Sequence, residues 1–383
     1  MSDDVAIIGV GQHPFGRFDK TAMEMGVEAI NMALADAGMQ WKDVQIAYGG
    51  SSGIGNVDAI THEVGLTGIP FTNVGNACAT SASSMRLAAE AISSGKYDVA
   101  IAVGMDKHPR GAFGGEPSSI GLPRWYGEAG LFLTTKFFAM KANKYLHDYD
   151  ISQRTLARVA AKAFRNGELN PIAFRRKPLS EDEILESQMV NYPLTQYMFC
   201  SPDEGAGAVI MCSKEVAARY TTEPIWLKAS ELRTRGYGAY EVHATSSSVS
   251  TTEVAPTVYA ARAAFEVAGV SPSDIGVIQL QDTDAGAEIM HMAECGFCED
   301  GEQEKLLAEG ATEIGGRLPV NTDGGLLANG EPIGASGMRQ VHEIVKQLRG
   351  QAGANRQIPG KPTAGFAQVY GAPGTAAATI LTK

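Results

Sequence analysis

The chain has 383 residues, 44% hydrophobic and 20% charged, enough for more than one packed core and typical of an ordinary soluble globular protein. A net charge of −11, from 32 basic and 43 acidic residues, argues against a nucleic-acid or anionic-membrane surface, and no apolar run approaches the length of a bilayer span. The N-terminus lacks the basic start and long apolar core of a signal peptide, and five scattered cysteines do not resemble a disulfide framework, so a reducing cytoplasm is expected.

In chain order, Val5–Val10 reads as a buried strand, a short apolar run closed by glycines. Met23–Ala37 follows with helical spacing and stops at Gly38, a helix C-cap, and Val44–Tyr48 is strand-like again. Phe71–Val74, a helix over Ala82–Ser94 and a strand over Val99–Gly104 repeat the pattern. This alternation predicts an α/β fold with buried sheets. Lys107–Tyr197 then reads as an insertion. It carries amphipathic helices over Leu131–Tyr149 and Gln153–Asn166 and a basic loop, Arg175-Arg176-Lys177, and an insertion of that size on a compact scaffold is usually functional or interfacial.

The chain also repeats itself. Residues 29–50, AINMALADAGMQWKDVQIAYGG, return as residues 260–281, AARAAFEVAGVSPSDIGVIQLQ, a shift of 231 from 29 to 260. Ser83-Ser84-Met85-Arg86 returns as Ser336-Gly337-Met338-Arg339, a shift of 253 from 83 to 336. Two echoes in the same order predict two similar α/β halves, residues 1–220 (carrying the insertion at about 107–197) and residues 221–383, with the seam between Ala217 and Leu227.

Cys78 falls after a strand and before a helix of small residues. There the helix dipole and unpaired amides favour a thiolate and could hold an oxyanion, although a buried structural cysteine fits the same position. The second echo maps Cys78 onto Glu331, so a pseudo-twofold axis would aim both residues at one site; a plain helix-start acid is the competing reading of Glu331. The seven histidines show no metal-ligand spacing, and Cys295-Gly296-Phe297-Cys298 reads as a turn after a helix, so no metal site is expected. Gly9, Gly11 and Gly16 have the wrong spacing for a dinucleotide fingerprint.

Residues 75–92, GNACATSASSMRLAAEAI, resemble the nucleophile loop of thiolases, and residues 321–339, NTDGGLLANGEPIGASGMR, resemble their Asn-x-x-Gly-Gly…Gly-His-Pro-x-Gly-Ala-Ser-Gly loop. Residues 170–211 look like the middle segment of the sterol-carrier-protein-type branch. The resemblance implies a five-layer αβαβα thiolase fold, a homodimer and CoA-thioester substrates with no bound cofactor. It also implies that Cys78 is the residue acylated. Glu331 stands where the family has its Gly-His-Pro histidine and Tyr370 where it has a second cysteine. Gln281-Asp282-Thr283-Asp284 replaces an Asn-Glu-Ala-Phe or His-Asp-Cys-Phe segment.

On these residues, Cys78 would attack a ketone, with Glu331 as its base. The amides of Cys78 and Ala372 would hold the oxyanion, Gln281 would serve the enolate, and Tyr370 or Glu331 would exchange the proton, although Tyr370 also reads as a packing residue on the last strand. Gly330, Gly371 and Asp282 are expected beside the oxyanion and substrate. Arg175, Arg176 and Lys177 are candidates for the CoA phosphates, against a solvated charge run.

Three functions follow. The first is acyl transfer on a bulky β-ketoacyl-CoA, of which benzoylsuccinyl-CoA is one candidate. The second is a retro-aldolase acting on β-hydroxyacyl-CoA side chains, as in steroid degradation. The third is a non-catalytic acyl-CoA- or lipid-binding subunit. Histidine-poor members of this kind often work with a small OB-fold/zinc-ribbon acyl-CoA-binding subunit, which is therefore an expected partner.

Overall fold

A computed structural model of the chain describes residues 5–120, 122–221, 223–236, 254–372 and 374–383; Thr222 at the expected seam, His243 and Pro373 lie outside them. Among the described residues nine strands join in one sheet: β1 Val5–Gln12, β2 Ile46–Gly50, β3 Phe71–Asn73, β4 Val99–Lys107, β5 Glu204–Ser213, β6 Ile225–Arg233, β7 Val277–Gln279, β8 Ala364–Gly371 and β9 Thr375–Thr382. Their order is β3-β2-β4-β5-β1-β6-β9-β8-β7.

Near the middle of that order β1 joins β6, with Ala6 opposite Trp226 and Ile7 opposite Ile225. On either side the pattern mirrors itself. β5 and β4 run antiparallel to each other beyond β1, as β9 and β8 do beyond β6, and each flank ends in parallel pairing (β4–β2–β3 and β8–β7).

Helices cover this sheet in a matching way. On the outer face of the first flank lies α1, Ala22–Ala37. It starts with a capping box between Thr21 and Glu24, and it ends at Gly38, whose φ of 66° is the left-handed conformation a C-cap glycine supplies. Met25, Ala29, Ile30, Ala33 and Ala37 form its buried stripe. Gly9 and Gly11 let β1 approach this helix, because a Cβ on them would lie 2.3 Å from Ala33 O and 2.1 Å from Ala29 O.

Between the flanks pack α2, Thr80–Ser93, and the helix that repeats it, Ser336–Arg349. Met85, Ala88 and Ile92 meet Met338, Val341, Ile344 and Leu348 in one core. Beyond the second flank lies the helix Pro256–Ala268, ended by Gly269 at φ 67° as α1 is by Gly38. The layers are therefore helix, sheet, paired helices, sheet, helix, the αβαβα order, with the two sheets continuous through β1 and β6. The Ser81 hydroxyl donates to Gly334 O, and 334 is the position onto which the 253-residue shift maps 81. Residues equivalent by symmetry touch where the axis passes, so the pseudo-twofold axis runs between the starts of these two helices.

The insertion builds a further core. Its helices Thr134–Asp148 and Gln153–Leu169 pack against Ala285–Glu294 and Gly325–Asn329. Lys162 and Glu288 form a fully buried ion pair at 2.5 Å within it, and Asn321 Nδ2 donates to the second Glu288 oxygen at 2.8 Å. Among the described residues no helix is long and apolar enough to cross a membrane.

Candidate active site

Two related turns frame the site. The first links β3 to α2. Ala77 holds φ 47°, a left-handed conformation that costs a non-glycine residue about 1–2 kcal/mol. The Asn76 amide donates to Thr80 Oγ1 at 2.9 Å, the Asn76 side chain to Ser83 Oγ at 2.8 Å, and the Thr80 amide to Ala77 O at 2.9 Å. These bonds place Cys78 in the turn just before α2, whose cap is Ala79 and which begins at Thr80 rather than at the expected Ala82.

The second turn, 329–335, repeats the geometry. Gly330, the position the shift pairs with Ala77, has φ 88°. The Glu331 amide donates to Ser201 O at 2.8 Å, and the Gly334 amide to Asp106 Oδ2 at 2.6 Å. Asp106 is fully buried and also accepts from Ser51 Oγ at 2.5 Å and from the amides of Ser52 and Gly53 at 3.0 Å. Burial pushes its carboxyl up, but the His108 hydrogen bond and charge and the serine donors outweigh that, and the group titrates below its ordinary value.

Between the turns lies a cavity of about 180 Å³. Cys78, Glu331, Gln281, Tyr370 and Ala372, all expected at the site, line it together. Glu331 has no exposed surface. Its Oε1 accepts from Gln281 Nε2 at 3.0 Å, and Cys78 shares its cavity. Gln281 Oε1 accepts from the Tyr370 amide, which fixes which end of the side chain faces Glu331. Burial pushes the Cys78 thiol well above its ordinary pKa, and the neighbouring Glu331 charge acts in the same direction. Burial and a neighbouring carboxylate outweigh the helix dipole, so Cys78 rests as a neutral thiol, the form that needs Glu331 as its base.

The Tyr370 side chain is buried at the end of β8, with Lys141 Nζ 5.4 Å from its ring centroid. Lys141 is itself buried. Desolvation lowers its pKa, against the charges of Glu294 and Asp284. Burial raises the Asp284 carboxyl to about 7, although its Oδ1 caps the following helix through the Gly286 and Ala287 amides.

Other expected residues lie elsewhere. Asp282 is fully buried with both oxygens bound to backbone, Leu326 N at 2.6 Å and Leu327 N at 3.2 Å, so it caps the helix at 325–329 and does not line the cavity. Its neighbour Thr283 does. Gly330 and Gly371 act through the backbone. A Cβ at 330 would sit 1.8 Å from Asp203 Oδ2, and one at 371 would sit 2.3 Å from Asn76 O, so Gly371 lets β8 press against the Cys78 turn. Arg175 is half-buried and lines a second cleft with Arg17 and Arg110. Its guanidinium donates to Phe199 O at 2.9 Å, Leu327 O at 3.0 Å and Ser201 Oγ at 2.5 Å, while Arg176 and Lys177 are exposed. His291 pairs with Glu294 at 2.7 Å, and Cys295 follows the helix that ends at Glu294. Among the described residues no group of three or more His, Cys, Asp or Glu side chains is placed to hold a metal ion.

Several residues at the site gave no signal in the sequence. Phe113, Phe132 and Phe138 line the apolar wall, and all three come from the insertion. Cys200 Sγ donates to Glu331 Oε2 at 3.4 Å, from a segment with no periodicity to read.

Two family models match the chain. The model described as "Thiolase, N-terminal domain" matches residues 5–184, and that described as "Thiolase C-terminal domain-like" matches residues 238–383. The chain is 34% identical to acetyl-CoA acetyltransferase of Methanothermobacter thermautotrophicus, covering 99% of this chain and 100% of that one. It is 31% identical to the benzoylsuccinyl-CoA thiolase subunit BbsB of Thauera aromatica (91% and 89% covered), and 30% identical to sterol carrier protein 2 of Oryctolagus cuniculus (94% and 68% covered). Among solved structures, the Ltp2-ChsH2(DUF35) aldolase superposes with a TM-score of 0.87 at 25% identity, covering 99% of this chain and 98% of that one. Human mitochondrial 3-ketoacyl-CoA thiolase superposes at 0.71 with the same coverage, and at 15% identity this likeness speaks to fold alone.

Proposed function

The chain belongs to the thiolase family, and we propose that it is an acyltransferase that breaks or makes a carbon–carbon bond in a bulky β-ketoacyl-CoA through an acyl-enzyme on Cys78. The observation that carries this reading is that Cys78 and the buried Glu331 line one cavity, with Gln281 beside them donating to the Glu331 carboxylate at 3.0 Å. Halves 1–220 and 221–383 each supply one member of that pair.

In the cleavage direction the Cys78 sulfur attacks the keto carbon and its proton passes to Glu331. The amides of Cys78 and Ala372 hold the alkoxide. The carbon–carbon bond then breaks, leaving an acyl group on Cys78 and the enolate of a shorter CoA thioester, whose carbon takes the proton back from Glu331. A CoA thiol next attacks the acyl-enzyme, and its proton returns through Glu331 to Cys78. Gln281, held by the Tyr370 amide, keeps Glu331 in line for both transfers. Three phenyl rings along the cavity suit an apolar or aryl acyl group, and the relative named for benzoylsuccinyl-CoA supports that class. We also propose a homodimer and a small acyl-CoA-binding partner of the OB-fold/zinc-ribbon kind. One relative is named as a subunit, and the aldolase carries a two-part name.

The likeness to that aldolase supports one alternative. In it Glu331 takes the proton of a β-hydroxyl group and Cys78 is a bystander. Turnover assays separate the two. CoA-dependent cleavage of an aryl β-ketoacyl-CoA that is lost in Cys78→Ala supports acyl transfer. CoA-independent cleavage of a β-hydroxyacyl-CoA that survives Cys78→Ala overturns it.

A further inference from the structure

Glu331 has a second thiol partner that the reaction above does not use. Cys200 is buried, and its Sγ donates to Glu331 Oε2, the oxygen opposite the one held by Gln281. The backbone fixes this pairing from both sides. Cys200 N donates to Thr283 O at 2.9 Å, Glu331 N donates to Ser201 O at 2.8 Å, and Pro202 and Glu331 form a short parallel pairing. Cys200 also lines a second cleft of about 390 Å³, which shares Phe113, Thr134 and Thr283 with the Cys78 cavity. One carboxylate therefore lies between two thiols, each facing its own cavity.

We propose that Cys200 is a positioning residue for the base, its S–H bond holding the Glu331 carboxylate turned toward Cys78. The inference rests on the reading of Glu331 as the base for Cys78. The titratable and charged groups around this cluster are Cys78 from the turn before α2, Asp106 from β4, Cys200 and Asp203 from the segment before β5, Glu204 at its start, Asp282 after β7, Arg17 before α1 and Arg175 from the insertion. Without the Cys200 donor the Glu331 carboxylate loses one of the two side-chain bonds that fix its orientation and is less often in line to take the thiol proton.

The probe is iodoacetamide on the free protein, with the rate at Cys78 read by peptide mass spectrometry across pH. The sulfur bonds to the methylene carbon, iodide leaves and the thiol proton goes to Glu331. Cys200→Ala and the volume-filling Cys200→Val each slow alkylation of Cys78 roughly tenfold at neutral pH, as loss of one weak donor to a charged acceptor implies. Cys200→Ser, which keeps a donor, restores the rate. A wild-type profile in both Ala and Val variants, with Glu331→Gln slow, overturns the role of Cys200 alone. A Glu331→Gln protein that alkylates like wild type overturns the base itself, and the role of Cys200 with it.

Discussion

The turns that open the two central helices share a scaffold position and a backbone shape, yet they are built for different work. Ala77 and Gly330 both sit at positive φ, 47° and 88°, and each is followed by the residue that faces the cavity. The first turn is held by its own side chains: Thr80 takes the Asn76 amide and Ser83 takes the Asn76 side chain. It leaves Cys78 half-buried at the cavity surface, as a nucleophile requires. The second turn is held from outside, by Asp106 at Gly334 and by Ser201 at Glu331, and its acid is fully buried. A repeated backbone thus presents a reactive atom on one side of an axis and a shielded base on the other.

The comparison can be broken most sharply at the two presented side chains. Cys78→Ala should abolish acyl transfer, a loss of roughly 10⁴-fold or more in thiolysis assays. Glu331→Gln should leave the thiol in place without its proton acceptor and lower acylation by roughly 10²–10⁴-fold, the usual range for a general base. At the preceding positions, Gly330→Ala should cost about 1–3 kcal/mol from backbone strain alone, and more because its Cβ would press on Asp203. Urea denaturation would measure it.

Asp106→Asn should cost about 1–3 kcal/mol at pH 7, from weakened charge-assisted bonds to Gly334 and the serines. The Asp106 carboxyl titrates lower in the folded chain than its unfolded value of 3.8. Its stabilisation is therefore full above that value and is lost as pH falls through the lowered folded one, so the wild-type advantage over Asp106→Asn should shrink only below about pH 4 in parallel urea titrations. Ala77→Gly should have the smallest effect, within about 1 kcal/mol, because relief of left-handed strain offsets the added freedom of the unfolded chain.

Much of the scaffold was legible in the sequence. The Ala29 repeat marked α1 with its Gly38 cap and the helix Pro256–Ala268 with its Gly269 cap, because small residues at helical spacing and a stop glycine are local signals. The 253-residue shift also brought Cys78 and Glu331 together before any coordinates. What was hidden depends on long-range packing. Cys200 meets Glu331 across 131 positions, and Asp282 is drawn away to cap amides more than forty residues downstream. The aromatic wall comes from an insertion whose size alone hinted at a role. The local motif left the charge state of Cys78 open, because burial and the Glu331 carboxylate, which outweigh the helix dipole, come from distant residues.

The most direct measurement is intact-protein mass spectrometry after mixing the wild-type protein, with any co-purifying small subunit, with a panel of β-ketoacyl-CoA thioesters, beside Cys78→Ala. Acyl transfer through Cys78 predicts an adduct on the wild type whose mass names the transferred group, and none on the variant. An unmodified wild type, with Cys78→Ala still cleaving a β-hydroxyacyl-CoA, would contradict it.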